Sequence, residues 1–200
     1  MTKFVLIRHA TTNSVGYRLS GRTPGISLNE EGKAQAQTLA ERLTHLPLSA
    51  IYSSPLERAV ETAEPIAASH QLTSTICEDF LEIDFGQWTN KTFKELESEL
   101  TFKLFNSFRS YTRIPGGETM TEAQLRIING FEKLRSQHEQ ETIAIVSHVD
   151  LIKAAITYYA GIPLDLFQRI EISPASVSII ELYEETARIT LLNHTGDIKG

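Results

Sequence analysis

Lys3-Phe4-Val5-Leu6-Ile7 is a short apolar run that ends abruptly on Arg8-His9. Far along the chain, Thr142-Ile143-Ala144-Ile145-Val146 repeats the pattern and ends on Ser147-His148. Short apolar blocks rich in β-branched residues are expected to be buried strands. In open α/β sheets, ligands collect beyond the carboxyl ends of parallel strands. Two such strands would bring two imidazoles and a guanidinium to one edge, the groups a reaction on an anion requires.

Outward from the first strand, Asn29-Glu30-Glu31-Gly32 leads into a helix whose apolar positions are Ala36, Leu39, Ala40 and Leu43. Its acidic first turn suits the helix dipole. Ala50-Ile51-Tyr52 reads as a strand, and Ser53-Ser54-Pro55 as a helix start with the proline just inside. The helix that follows carries Ala59, Ala63, Ile66 and Ala67 on one face, and Arg58 in its first turn near the end of the preceding strand. Residues 75–82 are expected to form another strand running into Leu81-Glu82-Ile83-Asp84-Phe85-Gly86.

From about 89 to 118 the chain is more polar, with short helices expected near 93–96 and 100–105, and it ends on the turn Pro115-Gly116-Gly117-Glu118. This stretch reads as an insertion covering the active edge. Met120, Ala123, Ile127, Phe131 and Leu134 mark a long amphipathic helix. A largely buried helix follows His148, through Leu151, Ile152, Ala155 and Ile156, and segments 176–183 and 187–193 look like a closing hairpin. The alternation predicts an α/β fold: a three-layer sandwich with a mainly parallel central sheet and helices on both faces. One domain is expected over 1–200.

Bulk properties fit that expectation. Two hundred residues suffice for one sizeable core, and 41% hydrophobic with 22% charged residues is ordinary for a globular protein. A net charge of −6 argues against nucleic acid or an anionic membrane as the main partner. It does not forbid an anionic substrate, because a few arginines reverse the potential inside a cleft. The apolar stretch before Arg8 is too short for the core of a signal peptide, and no segment has the roughly 20 apolar residues that span a bilayer. Cys77 stands alone, so neither an intrachain disulfide nor a thiolate zinc cluster is available. A cytoplasmic setting is the expectation.

Five side chains are predicted to meet at the sheet edge: Arg8, His9, Arg58, Glu82 and His148. Two guanidiniums can grip phosphate oxygens with paired donors. A neutral imidazole is a competent nucleophile toward phosphorus, and a second can donate to a phosphoryl oxygen as charge shifts. A carboxylic acid can protonate the leaving alkoxide and then activate water. Singly, each residue has a plainer explanation. A histidine at a strand end is more often structural, Arg58 could pair with Glu57 or Glu61 on the helix surface, and Gly116-Gly117 is first of all a turn. The coincidence at two separate strand ends favours chemistry.

Leu6-Ile7-Arg8-His9-Ala10-Thr11-Thr12 resembles the Arg-His signature of the histidine phosphatase superfamily, in its phosphoglycerate-mutase-like branch. The resemblance continues, in family order, through Ser20-Gly21, Ser27 to Ala36, Ile51 to Ala63, Leu81 to Trp88, Pro115 to Glu118 and Val146 to His148. It implies that His9 is the nucleophile that becomes phosphorylated, and that Arg8, Arg58 and His148 hold the transferring group. Glu82 would be the proton donor and then the base for water. Ser20 and Gly21 would lie on the substrate side, and the backbone N–H of Val149 would be a further phosphate donor. The family places an asparagine seven positions after the motif arginine. Val15 stands there, so Asn13 is the expected replacement through a shifted loop path.

The leading expectation is therefore a metal-independent phosphatase, without cofactor, acting on a small phosphorylated metabolite. A phosphomutase is the alternative within the fold, disfavoured because so compact a chain lacks the extra segments of dedicated glycerate mutases. A metal-dependent hydrolase using His9, His148, Asp150 and Glu82 is opposed by the fixed charge of Arg8, and a silent binding module by the presence of all five side chains. The identity of the substrate's organic part, which the polar insertion at 89–118 and Arg18 or Arg22 could read, and the oligomeric state are not legible in the sequence.

Overall fold

A computed structural model describes residues 1–196; the expected domain's last four residues lie outside the described residues. Six strands form one sheet: β1 (Thr2–Arg8), β2 (Leu48–Ser53), β3 (Ser74–Ile76), β4 (Thr142–Ser147), β5 (Val177–Leu182) and β6 (Ala187–His194). Their order is β3-β2-β4-β1-β5-β6. The pairs β3-β2, β2-β4 and β4-β1 are parallel, whereas β5 runs antiparallel to β1 and to β6. The closing hairpin thus extends one side of the parallel unit.

Alternation along β1 explains the layers. Phe4 and Leu6 pack on one face with α5 (Met120–Gln137) and α6 (Val149–Tyr159). Val5 and Ile7 pack on the other with α1 (Glu30–Leu43) and α2 (Glu57–Ser69). Ile143 and Ile145 of β4 join the first core, Ala144 and Val146 the second. A strand buried on both sides needs an unbroken apolar run, which is what 4–7 and 143–146 provide. Phe131 of α5 fills the first layer, its ring 4.5 Å from that of Phe4.

Two local expectations are corrected. The strand expected over 75–82 is only three residues long, and a 3-10 turn over Glu78–Phe80 follows it. After Cys77 N–H donates to the Ser53 carbonyl the chain leaves the edge, and the Phe80 carbonyl is caught by the Ser147 hydroxyl at 2.8 Å. That turn inward carries Glu82 toward the ends of the central strands. Secondly, α2 starts at Glu57 and its N-cap is Leu56, without a side-chain cap, so Pro55 precedes the helix. The short helices of the polar stretch are α3 (Phe93–Leu96) and α4 (Leu100–Ser107). Trp88 anchors them, edge-on to Phe102 and Phe105, with its indole N–H donating to Glu99 at 3.0 Å.

The loop after β1 is clamped onto the start of α1. Asn29 caps that helix by accepting from the Gly32 N–H, and its own N–H donates to the Thr11 carbonyl. A Cβ on Gly32 would lie 2.0 Å from the Thr11 carbonyl oxygen. Gly32→Ala should therefore lower stability by about 1–3 kcal/mol through overpacking, even though helix propensity alone favours alanine by about 1 kcal/mol. Urea unfolding checks this; a variant as stable as the parent would contradict the close approach.

Candidate active site

Because β1 and β4 pair in parallel with Arg8 opposite Ser147, the residues that follow each strand emerge side by side. His9 and His148 are consequently neighbours, with ring centroids 5.2 Å apart. The backbone is held tightly here: His9 N–H donates to the Ser147 carbonyl, and Ala10 N–H to the Thr62 hydroxyl at 3.0 Å. Thr62 in turn donates to the Arg58 carbonyl, which couples the His9 loop to α2.

His9 is almost fully buried. Its Nδ1 lies 2.8 Å from the Ala10 carbonyl oxygen, an acceptor only, so Nδ1 carries the proton and Nε2 keeps its lone pair. Burial, then the Arg58 charge, push the ring's pKa down to about 3, so the imidazole is neutral at ordinary pH. His148 is fully enclosed and is not among the residues that line the cavity. Its Nε2 is 2.7 Å from the Ser54 hydroxyl, which also accepts from the Leu56 N–H. The Ser54 hydroxyl has no other acceptor among the described residues, so its proton goes to Nε2 and the ring proton sits on Nδ1, which is buried without a partner, 3.8 Å from Glu82 Oε2. Desolvation, chiefly, drives the His148 pKa well below the ordinary histidine value.

Arg58 points inward and is 2% exposed. It does not make the surface pairing open to it: Glu57 and Glu61 instead accept from the backbone of Gly25 and Leu28. One terminal guanidinium nitrogen, Nη2, donates to the Gly21 carbonyl at 2.8 Å, and the other terminal nitrogen, Nη1, is buried without a partner. Arg8 likewise donates from Nη1 to the Ile172 carbonyl at 2.6 Å and leaves Nε buried and unpartnered. Unsatisfied cationic donors close to a neutral imidazole form a receptor for an oxyanion.

Glu82 is buried, and Oε1 accepts from the Ile83 N–H at 2.8 Å. Burial, reinforced by the Asp150 carboxylate and opposed by Arg58 and Arg8, raises its pKa to about 7. The Glu82 loop is fixed by an ionic clasp. Arg126 donates to the carbonyls of Asp79 and Leu81 and pairs with Glu118, which also takes Arg22 at 2.9 Å. Arg22 Nε donates to the Glu82 carbonyl. The turn Pro115 to Glu118 lies directly on this loop, and a Cβ on Gly117 would meet the Asp84 carbonyl at 2.2 Å.

Arg8, His9, Arg58 and Glu82 open on a cavity of about 270 Å³, also lined by Thr12, Ser20, Gly21, Val149 and Asp150. The N-terminus of α6 faces it at Val149, adding the positive end of a helix dipole. Asn13 is not brought to the cavity. It is exposed, and its side-chain oxygen accepts from Asn29 at 3.2 Å, because the clamp on α1 turns position 13 outward. Thr12, Ser14 and Val15 line the wall there instead. Of the two loop arginines, Arg18 lines the cavity, whereas Arg22 is taken up by the clasp. Sequence reasoning missed Ser54 as the partner of His148, having read it only as part of a helix start. It also missed Arg109 and Lys153 in the cavity wall.

Comparison with known proteins follows the same line. The model of the histidine phosphatase superfamily (branch 1) matches residues 4–195. Phosphoserine phosphatase 1 of Hydrogenobacter thermophilus is 32% identical over 204 residues, covering 98% of this chain and 93% of that protein. YhfR of Bacillus stearothermophilus superposes with a TM-score of 0.91 at 28% identity, covering 100% of this chain and 98% of that one. A variant of the Entamoeba histolytica phosphoserine phosphatase, in complex with phosphoserine, gives 0.90 at 27% identity with 100% of both chains covered.

The tautomer and charge of His9 are directly testable. Nitrogen-15 NMR of the ligand-free protein should show a neutral ring, protonated at Nδ1, from pH 7 down to pH 5. A ring that gains its second proton near pH 6.5 would contradict the burial and cationic surroundings described above.

Proposed function

Because the chain belongs to branch 1 of the histidine phosphatase superfamily, we propose that Nε2 of His9 attacks the phosphorus of a small phosphate monoester. The chain is a phosphoric monoester hydrolase that works through a phosphohistidine, in keeping with its relatives. The assignment of roles rests above all on the neutral imidazole, its Nδ1 proton engaged by the Ala10 carbonyl and its lone pair free.

In the first step an N–P bond forms as the ester P–O bond breaks. Arg8 and Arg58 hold the equatorial oxygens through donors that are otherwise unsatisfied. His148 offers its Nδ1 proton as negative charge grows, and Glu82 gives its proton to the departing alkoxide. The Glu82 carboxylate then takes a proton from water, whose oxygen attacks phosphorus. Inorganic phosphate leaves and His9 regains its lone pair. Both relatives whose activity is named above are phosphatases, so water rather than a second substrate hydroxyl is the acceptor.

The substrate is a small phosphorylated metabolite. A cavity of about 270 Å³ lies below the usual range for drug-sized ligands. The phosphoserine-directed relatives suit that scale. No helix of the described residues is long and apolar enough to cross a membrane, and we place the enzyme in the cytoplasm.

His9→Ala should abolish both turnover and acid-labile phosphate labelling of the protein; labelling that persists would remove His9 from the nucleophile's role. Glu82→Gln should slow an alkyl phosphate by roughly 10²–10⁴-fold and an aryl phosphate with a good leaving group much less. Equal losses on both would contradict proton donation. The acid must carry its proton, and burial raises its pKa to about 7. Turnover of alkyl phosphates should therefore fall as pH rises through about 7, a limb that Glu82→Gln should lose.

A further inference from the structure

The cavity holds more positive charge than a phosphoryl group needs. Five cations line it, Arg8, Arg18, Arg58, Arg109 and Lys153, against two carboxyls, Glu82 and Asp150. Glu82, its pKa raised to about 7, carries less than a full negative charge at neutral pH. A phosphate dianion on Arg8 and Arg58 thus leaves a cationic surplus on the side formed by the end of α4 and the first turns of α6.

Arg109 is 6% exposed. Its guanidinium carbon lies 4.5 Å from the ring centroids of both Phe105 and Phe167, so two aromatic residues hold it. Nη2 donates to Asn106 Oδ1 at 3.0 Å, an oxygen that also accepts from Gln168. Nε and Nη1 are buried without acceptors, and Asp150 Oδ2 stands 3.8 Å from Nη1, too far for a hydrogen bond. Lys153 is 5% exposed, its ammonium 5.3 Å from the Phe167 ring, and it donates no hydrogen bond among the described residues. Arg109 keeps two buried donors without acceptors, which is costly in an isolated chain, and Lys153 is a second cation packed beside the same Phe167 ring. Their position in the wall of the reaction cavity supplies a reason for them.

We infer that Arg109 and Lys153 form a second anion subsite, which binds a carboxylate on the organic part of the phosphomonoester. Planar carboxylate oxygens suit a guanidinium held by stacking. The small volume favours an acid of a few carbons over a bisphosphate. The subsite deepens the phosphatase reading above and rests on it for the position of the phosphoryl group.

The test compares O-phosphoserine and 3-phosphoglycerate with glycerol 3-phosphate, which lacks the carboxylate. In the parent enzyme kcat/KM should favour the two acids by about 10–100-fold, the range of one or two charge-assisted hydrogen bonds. Arg109→Gln and Lys153→Gln should each reduce that ratio about tenfold, mainly through KM. No preference in the parent, or losses that strike all three esters alike, overturns the subsite. Should Arg109→Gln fail to fold, the parent's preference and Lys153→Gln decide. Calorimetric binding of the same esters to His9→Ala repeats the comparison without turnover. A protein that releases no phosphate yet binds the acids preferentially supports the subsite and defeats the phosphatase reading. Phosphate release without any preference does the reverse.

Discussion

The parallel register between β1 and β4 is the constraint on which the site depends. Arg8 opposite Ser147 sets two imidazoles side by side at the end of a sheet covered on both faces. There, burial out of water keeps both rings uncharged, and the nearby guanidiniums add to it. The same dry surroundings that deprive the imidazoles of protons leave one on Glu82. One environment thus produces a nucleophile and an acid from groups whose ordinary pKa values would give the opposite protonation states at mildly acidic pH.

The supporting structure serves that edge. Thr62 ties the His9 loop to α2, and Ser54 orients the His148 ring. Glu118, Arg126 and Arg22 fix the backbone that carries Glu82. None of these groups needs to touch the reacting atoms. They hold donors in place that would otherwise relax toward alternative partners, and pre-positioned dipoles are the main way a protein stabilises developing charge.

How much of this was legible in the sequence follows from how local each signal is. Residues 4–7 and 143–146 announce strands because burial on both faces demands unbroken apolar runs, and the layers followed. Arg58 could be placed because it sits one residue into a helix that starts just beyond a strand end. Asn13 could not, since its outward turn is set by the contact between Thr11 and Gly32, which no spacing reveals. The strand expected over 75–82 failed for a similar reason, the Ser147 hydroxyl drawing Phe80 inward from 67 residues away. Arg109 fell within the polar stretch expected to cover the active edge and Lys153 within a helix expected to be largely buried, but no spacing singled out either one. Only the meeting of α4, α6 and Phe167 buries them.

The anchoring of α3 and α4 by Trp88 divides the labour of the molecule. Trp88, Leu96 and Phe105 belong to the first core, yet they sit on a segment outside the sheet, so substitutions at the exposed positions among 93–109 can reshape the cavity's outer wall without disturbing the strand ends. Innovation in what is accepted is thereby uncoupled from fidelity in how it is cleaved, and a lineage could change its diet without relearning its chemistry.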